Sequence, residues 1–374
     1  MEAARRTHAT AIAARTRIMS TASGAYKIWR HPHLKLVDKC LQYVVWLAMR
    51  LDKLDSVAKL AGPEGASARR RMAQFNAGAT AHFAKHWTTT VETTPEGVEL
   101  IVYSPKVDGP VPVVLWIHGG GFTIGAARDA FGAELCAAAV QAGAPPFAWV
   151  SVEYRLAPER VSRAEDMHHI RKDTSQLRRH RHPAAADDCA AALRYLAAAS
   201  DRFSAIHVAG ASAGANLAIV TAAAAPRLGI TVASLFAVSP FVDPRGASAS
   251  YAANANCHVA APSWLAASWD AYVGPGPKAK ERALADWRVC PHTAVDTWRD
   301  AQGRPVAPPS TIIVTDTADP LRDEGLATAR SILDAGCRDV LHLEGSASHC
   351  FTLKLYPAKR AEALAKWVGY FASG

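Results

Sequence analysis

Gly210-Ala211-Ser212-Ala213-Gly214 sets one serine among small residues, after the apolar run Ala205 to Ala209 and before the Ala-rich stretch Ala213 to Ala225. That order reads as a tight strand-to-helix turn, which projects a hydroxyl above a sheet where it can act as a nucleophile. The glycines admit a strained, closely packed backbone, and the helix N-terminus favours a developing negative charge. A serine nucleophile needs a base, an acid to orient that base, and donors for an oxyanion. Donors are suggested by His118-Gly119-Gly120-Gly121-Phe122, at the end of the apolar run Val111 to Ile117. Consecutive glycines let backbone N–H groups approach a substrate oxygen with no side chain between. Two histidines compete for the base. His342 lies in a short alternating strand, Asp339 to Glu344, while His349 follows the small-residue loop Gly345 to Ser348 that can turn it back over the serine. His349 is the favoured base. Asp316, Asp319, Asp323 and Glu324 all lie just past an apolar run, and each is a candidate acid.

Five motifs stand in order along the chain. They are HGGGF at 118–122, Tyr154-Arg155-Leu156-Ala157-Pro158-Glu159, the serine elbow with Asn216 and Leu217, Asp319-Pro320-Leu321-Arg322-Asp323-Glu324, and His349-Cys350-Phe351. Over about residues 85 to 372 the chain resembles the hormone-sensitive lipase group of α/β-hydrolases. The resemblance implies a carboxylesterase with a triad of Ser212, Asp319 and His349, with Asp316 the fallback acid. It implies an oxyanion hole made by the N–H groups of Gly120, Gly121 and Ala213, a helical cap, and neither cofactor nor metal. The chain departs from the pattern at Ala211 and Ala215, where the family carries an Asp and a Gly, and at Cys350, which replaces a small Gly. A packed, inert thiol is the reading for Cys350.

The elements that must hold these residues follow from the hydrophobic pattern. Thr88 to Thr94 and Val98 to Tyr103 flank Pro95-Glu96-Gly97 as a hairpin. Val111 to Ile117, Phe147 to Val152, Ala205 to Ala209, Ser234 to Val238 and Thr311 to Val314 read as fully buried strands, most of them separated by Ala-rich helices. This predicts an α/β-hydrolase fold, a mostly parallel sheet covered by helices on both faces, with chemistry at the carboxyl ends of the strands. Residues 1–85 are expected to form a basic extension with an amphipathic helix (Val37 to Leu51) contributing to the cap, and residues 86–374 the catalytic domain. Within that domain, 160–182 is an Arg/His-rich insert and 243–309 the cap segment, whose tryptophans Trp264, Trp269, Trp287 and Trp298 suggest packed cap helices.

The 374 residues are half apolar and one-fifth charged, which excludes disordered, collagen-like and coiled-coil classes. Lys and Arg number 42 against 33 Asp and Glu, a net +9. Much of that excess sits in the first 37 residues and in the insert, whose seven basic and three acidic residues give +4. No aromatic-interleaved basic stripe accompanies it, so nucleic acid is not the expected partner. Seven scattered cysteines with no CxxC pair indicate reduced thiols in the cytoplasm, organelle targeting by the basic leader being the alternative. No stable membrane insertion is expected; a homodimer stays open. The predicted substrate is a short- to medium-chain acyl ester. Alternatives are an amidase, formamidase or acyltransferase on the same scaffold, or a small-molecule receptor.

Overall fold

The computed structural model describes residues 34, 36–40, 54–77, 87–157, 180–257, 259–294 and 296–372, with the side chains of 73–75 and 77 set aside. Eight strands form one sheet: β1 (Trp87–Thr93), β2 (Glu99–Pro105), β3 (Val111–Ile117), β4 (Ala148–Val152), β5 (Phe203–Ala211), β6 (Ser234–Val238), β7 (Ser310–Asp316) and β8 (Val340–Gly345). Their spatial order is β1-β2-β4-β3-β5-β6-β7-β8. β2 runs antiparallel to both β1 and β4, and every other pairing is parallel. This is the α/β-hydrolase architecture that the buried runs predict.

The runs lack alternation because both faces of the sheet are covered. Val113, Leu115 and Ile117 of β3 join one core, while Val114 and Trp116 join the other. On the first face lie α4 (Ala184–Ala198), α5 (Ala213–Ala224) and α9 (Arg322–Asp334); on the second lie α3 (Ala130–Gln141) and α10 (Pro357–Phe371). Aromatic rings fill the second core, with Trp116 stacked 5.4 Å from Trp149 and Phe236 edge-on to Trp367 at 4.7 Å. Residues 243–309, the segment expected to form the cap, supply α6 (Ala249–Ala253), α7 (Pro262–Val273) and α8 (Pro277–Ala285). Trp264 and Trp269 are buried in α7, as packed cap helices require. Trp287 and Trp298 instead sit in turns outside any helix, Trp287 under the Arg227 guanidinium at 4.1 Å.

Two further helices, α1 (Val57–Ala61) and α2 (Pro63–Ala77), precede the sheet. Leu54, Leu60 and Ala68 enter the main core, and α1 packs on α7. Arg69, from the basic triplet, is buried and donates to Leu60 O and Thr123 O at 3.2 and 3.3 Å. Residues 36–40 are helical, as the periodicity from Val37 predicts; 41–53 lie outside the described residues, as do most of the leader and of the insert. Among the described residues no helix is long and apolar enough to cross a membrane.

Candidate active site

Ser212 stands alone between the last residue of β5 and the first of α5, with φ 57° and ψ −119°. A side-chain-bearing residue in that region is strained, and the surroundings must hold it. Its N–H donates to Val238 O at 2.8 Å, and its carbonyl accepts from Phe241 N at 3.2 Å. Gly210 and Gly214 allow strand and helix to touch, since a methyl group on Gly214 would lie within 2.0 Å of Ile117 O. Ser212 is only 4% exposed, and its Oγ has no hydrogen-bond partner among the described residues. The glycine turn abuts it, because a methyl group on Gly119 would sit 3.4 Å from Ser212 Cβ. Thr123 N and Ile124 N both bond Gly120 O at 3.0 Å and close this turn. No acceptor among the described residues takes the N–H of Gly120, Gly121 or Ala213.

His349 Nδ1 lies 2.7 Å from Asp319 Oδ2, both side chains buried. The loops after β7 and β8 are laced together by Thr317 N to Gly345 O at 2.8 Å and Ala318 N to Ala347 O at 3.0 Å. Asp319 Oδ1 accepts from Leu321 N, and Asn254 Nδ2 donates to the Asp319 carbonyl, each at 3.0 Å. Burial pulls the His349 imidazolium down, but the Asp319 carboxylate and the Cys350 thiol outweigh it, so the group sits well above the ordinary 6.5. His342, the competing histidine, points along the sheet with Nε2 2.9 Å from Thr315 Oγ1.

Residues 178–353 match a family model described as alpha/beta hydrolase fold, and 100–233 match a second model, BD-FAE. Carboxylesterase NlhH of Mycobacterium tuberculosis is 30% identical over 256 residues, 67% of this chain and 69% of that protein. The chain belongs to the hormone-sensitive lipase family of α/β-hydrolases. Esterase LipI of the same organism is 32% identical over 247 residues, 62% of each chain. A solved bacterial heroin esterase shares 28% identity with a TM-score of 0.63, over 81% of this chain and 90% of that one. By class the protein is a carboxylesterase.

Several residues of this hydrolase carry structural work that no motif announces. Asp316, the fallback acid, accepts from Cys350 N at 2.8 Å, Thr352 N at 2.9 Å and Ser239 Oγ at 2.9 Å. It therefore anchors the backbone directly after His349. Burial, then the Asp319 charge, push its carboxyl up to about 7. Ser239 also accepts from Cys350 N at 3.2 Å, and it follows Val238, the acceptor for Ser212 N; these two neighbours thus tie elbow and histidine loop together. Phe122, Ser212, Ser239 and Cys350 are the positive-φ non-glycine residues among those described, and all four lie in or beside the candidate site's motifs. Of the other acid candidates, Asp323 pairs with Arg322, and Glu324 accepts from Val242 N and Asp243 N. Burial, partly offset by His349, pushes the Cys350 thiol up, so it stays protonated at neutral pH.

The remaining motifs brace the glycine turn. Tyr154 donates to His118 O at 2.9 Å, and Ala157 N donates to Phe122 O at 2.7 Å. Arg155 grips Asp188 through Nε and Nη2, which fixes the two flanks of the insert to each other. At the end of the insert, His182 Nε2 meets Asp286 Oδ2 at 2.9 Å and His182 N donates to Tyr272 O. Tyr272 in turn stacks on Phe122 with centroids 3.9 Å apart, so the cap rests on the glycine turn through aromatic faces. Asn216 joins elbow helix to cap by donating to Phe241 O and Val289 O.

Proposed function

We propose that Ser212 is the nucleophile, His349 the general base and acid, and Asp319 the residue that holds the imidazole in its useful tautomer. Ser212 Oγ attacks an ester carbonyl, and His349 takes the hydroxyl proton and returns it to the departing alcohol. Water, activated by the same imidazole, then opens the acyl-enzyme. The N–H groups of Gly120, Gly121 and Ala213 receive the oxyanion, where one such donor is worth about 3 to 4 kcal/mol of barrier. The observation that carries this reading is the buried 2.7 Å contact of His349 Nδ1 with Asp319, on a loop pinned through Ser239 to the strained Ser212 turn. The substrates are short- to medium-chain acyl esters, a reading supported by α7 lying directly on Gly121, which limits the depth of the site.

Ser212→Ala is expected to retain less than about one thousandth of the turnover of p-nitrophenyl esters. A fluorophosphonate should label the wild-type chain and not the variant. A variant that keeps a tenth of the activity, or that still labels, overturns the nucleophile. A series of p-nitrophenyl esters tests chain length, and a rate that keeps rising into long-chain acyl groups overturns that part.

A further inference from the structure

Gly121 lies beneath α7. A methyl group on it would fall 2.7 Å from Ser268 Oγ and 2.9 Å from Trp264 Cζ2. Trp264 and Ser268 are four residues apart on α7 and so share one helix face. In an indole ring Cζ2 is joined through Cε2 to Nε1, so the edge that meets Gly121 is the edge that bears the N–H. Both residues are deeply buried, Trp264 at 3% exposure and Ser268 at 0%. Neither Trp264 Nε1 nor Ser268 Oγ has a hydrogen-bond partner among the described residues. A serine inside a helix can return its hydroxyl to the carbonyl four residues back, and Ser268 does not do so. Buried donors left unpaired are rare and costly, and here one of them and the ring edge that bears the other meet at one glycine.

We propose that Trp264 Nε1 and Ser268 Oγ form a polar subsite for an acceptor oxygen one or two bonds from the scissile carbonyl. The substrates favoured are α-oxygenated carboxylic esters, such as those of α-alkoxy or α-hydroxy acids. This deepens the esterase reading and rests on Gly121 as an oxyanion donor. A carbonyl oxygen held at the Gly121 N–H brings the α-substituent of the same acyl group against the Trp264 and Ser268 pair. An aliphatic acyl group in the same place leaves both donors unpaired, and such pairing is what lets a buried site discriminate an oxygen from a methylene.

The test compares p-nitrophenyl methoxyacetate with p-nitrophenyl butyrate, acyl groups of the same length that differ by one ether oxygen. Ser268→Ala and Trp264→Phe each remove one donor and keep most of the volume. The quantity read is the methoxyacetate-to-butyrate ratio of kcat/KM, divided by the wild-type ratio to cancel intrinsic ester reactivity. Each variant is expected to lower that ratio about tenfold, the worth of one hydrogen bond. If both variants slow the two esters equally and leave the ratio unchanged, the pair only packs the cap and the subsite is overturned. Wild-type protein that hydrolyses neither ester and takes no fluorophosphonate overturns the esterase reading itself, a separate result.

Discussion

In the proposed mechanism His349 must be neutral to accept a proton from Ser212, so its protonation sets the lower arm of the pH profile. Burial lowers its pKa, while the Asp319 carboxylate and the Cys350 thiol raise it by more, and the net value lies well above 6.5. The kcat/KM of the wild type is therefore expected to climb as pH rises through a value above the ordinary histidine range. Asp319→Asn removes the charge that favours imidazolium. Its acid limb should move to lower pH, while the plateau falls by about four orders of magnitude. A limb that stays in place in the Asn variant would show that Asp319 does not set this titration. The residue types needed for this chemistry were legible in the sequence, down to His349 over His342. The resemblance to the family also named Asp319 as the acid and Asp316 as the fallback, a choice that local spacing alone does not make. They lie three residues apart past one strand, and no local pattern says which carboxylate faces the imidazole.

The proposed mechanism gives the acid's role to Asp319, while Asp316, at the end of β7, clamps the backbone of the histidine loop. Its folded carboxyl is raised from 3.8 to about 7, so between those values the native chain holds a proton that the unfolded chain has lost. Stability from this group is then greatest at low pH and falls as pH rises through the window. Asp316→Asn is neutral throughout, so it should flatten the stability difference measured by urea unfolding at about pH 5 and about pH 8. It also leaves one oxygen for three donors and forfeits at least one bond worth about 1 to 3 kcal/mol. Cys350 N is among those donors, so esterase turnover should fall as well. An Asn variant with the wild-type pH slope would remove Asp316 from this account. The strands and helices around the clamp were predictable, and β3 and β6 match the expected runs residue for residue. β5 and β7 extend past their apolar stretches because parallel ladder bonds continue where hydrophobicity stops.

At the scale of the whole molecule, charge and core separate the chain into two kinds of segment. The net +9 is concentrated in the leader and the insert, outside the five motifs. The segment 54–77 behaves differently, because it enters the main core and supports α7 and the loop at Thr123. Leu60 is fully buried there, and Leu60→Ala should cost about 2 to 5 kcal/mol, seen as a lowered Tm in thermal melting. An unchanged Tm would mean that this segment adds nothing to the catalytic body. By itself the sequence determined the order of buried strands, the elbow, the glycine turn and the residue types of the site, because turn geometry and burial are written in short-range patterns. Tertiary structure decided that Val238 and Ser239 together bridge the elbow and the histidine loop, and that α7 sets Ser268 Oγ and the Trp264 ring on Gly121. Those outcomes depend on backbone bonds and contacts between segments tens to hundreds of residues apart, which periodicity and spacing do not encode.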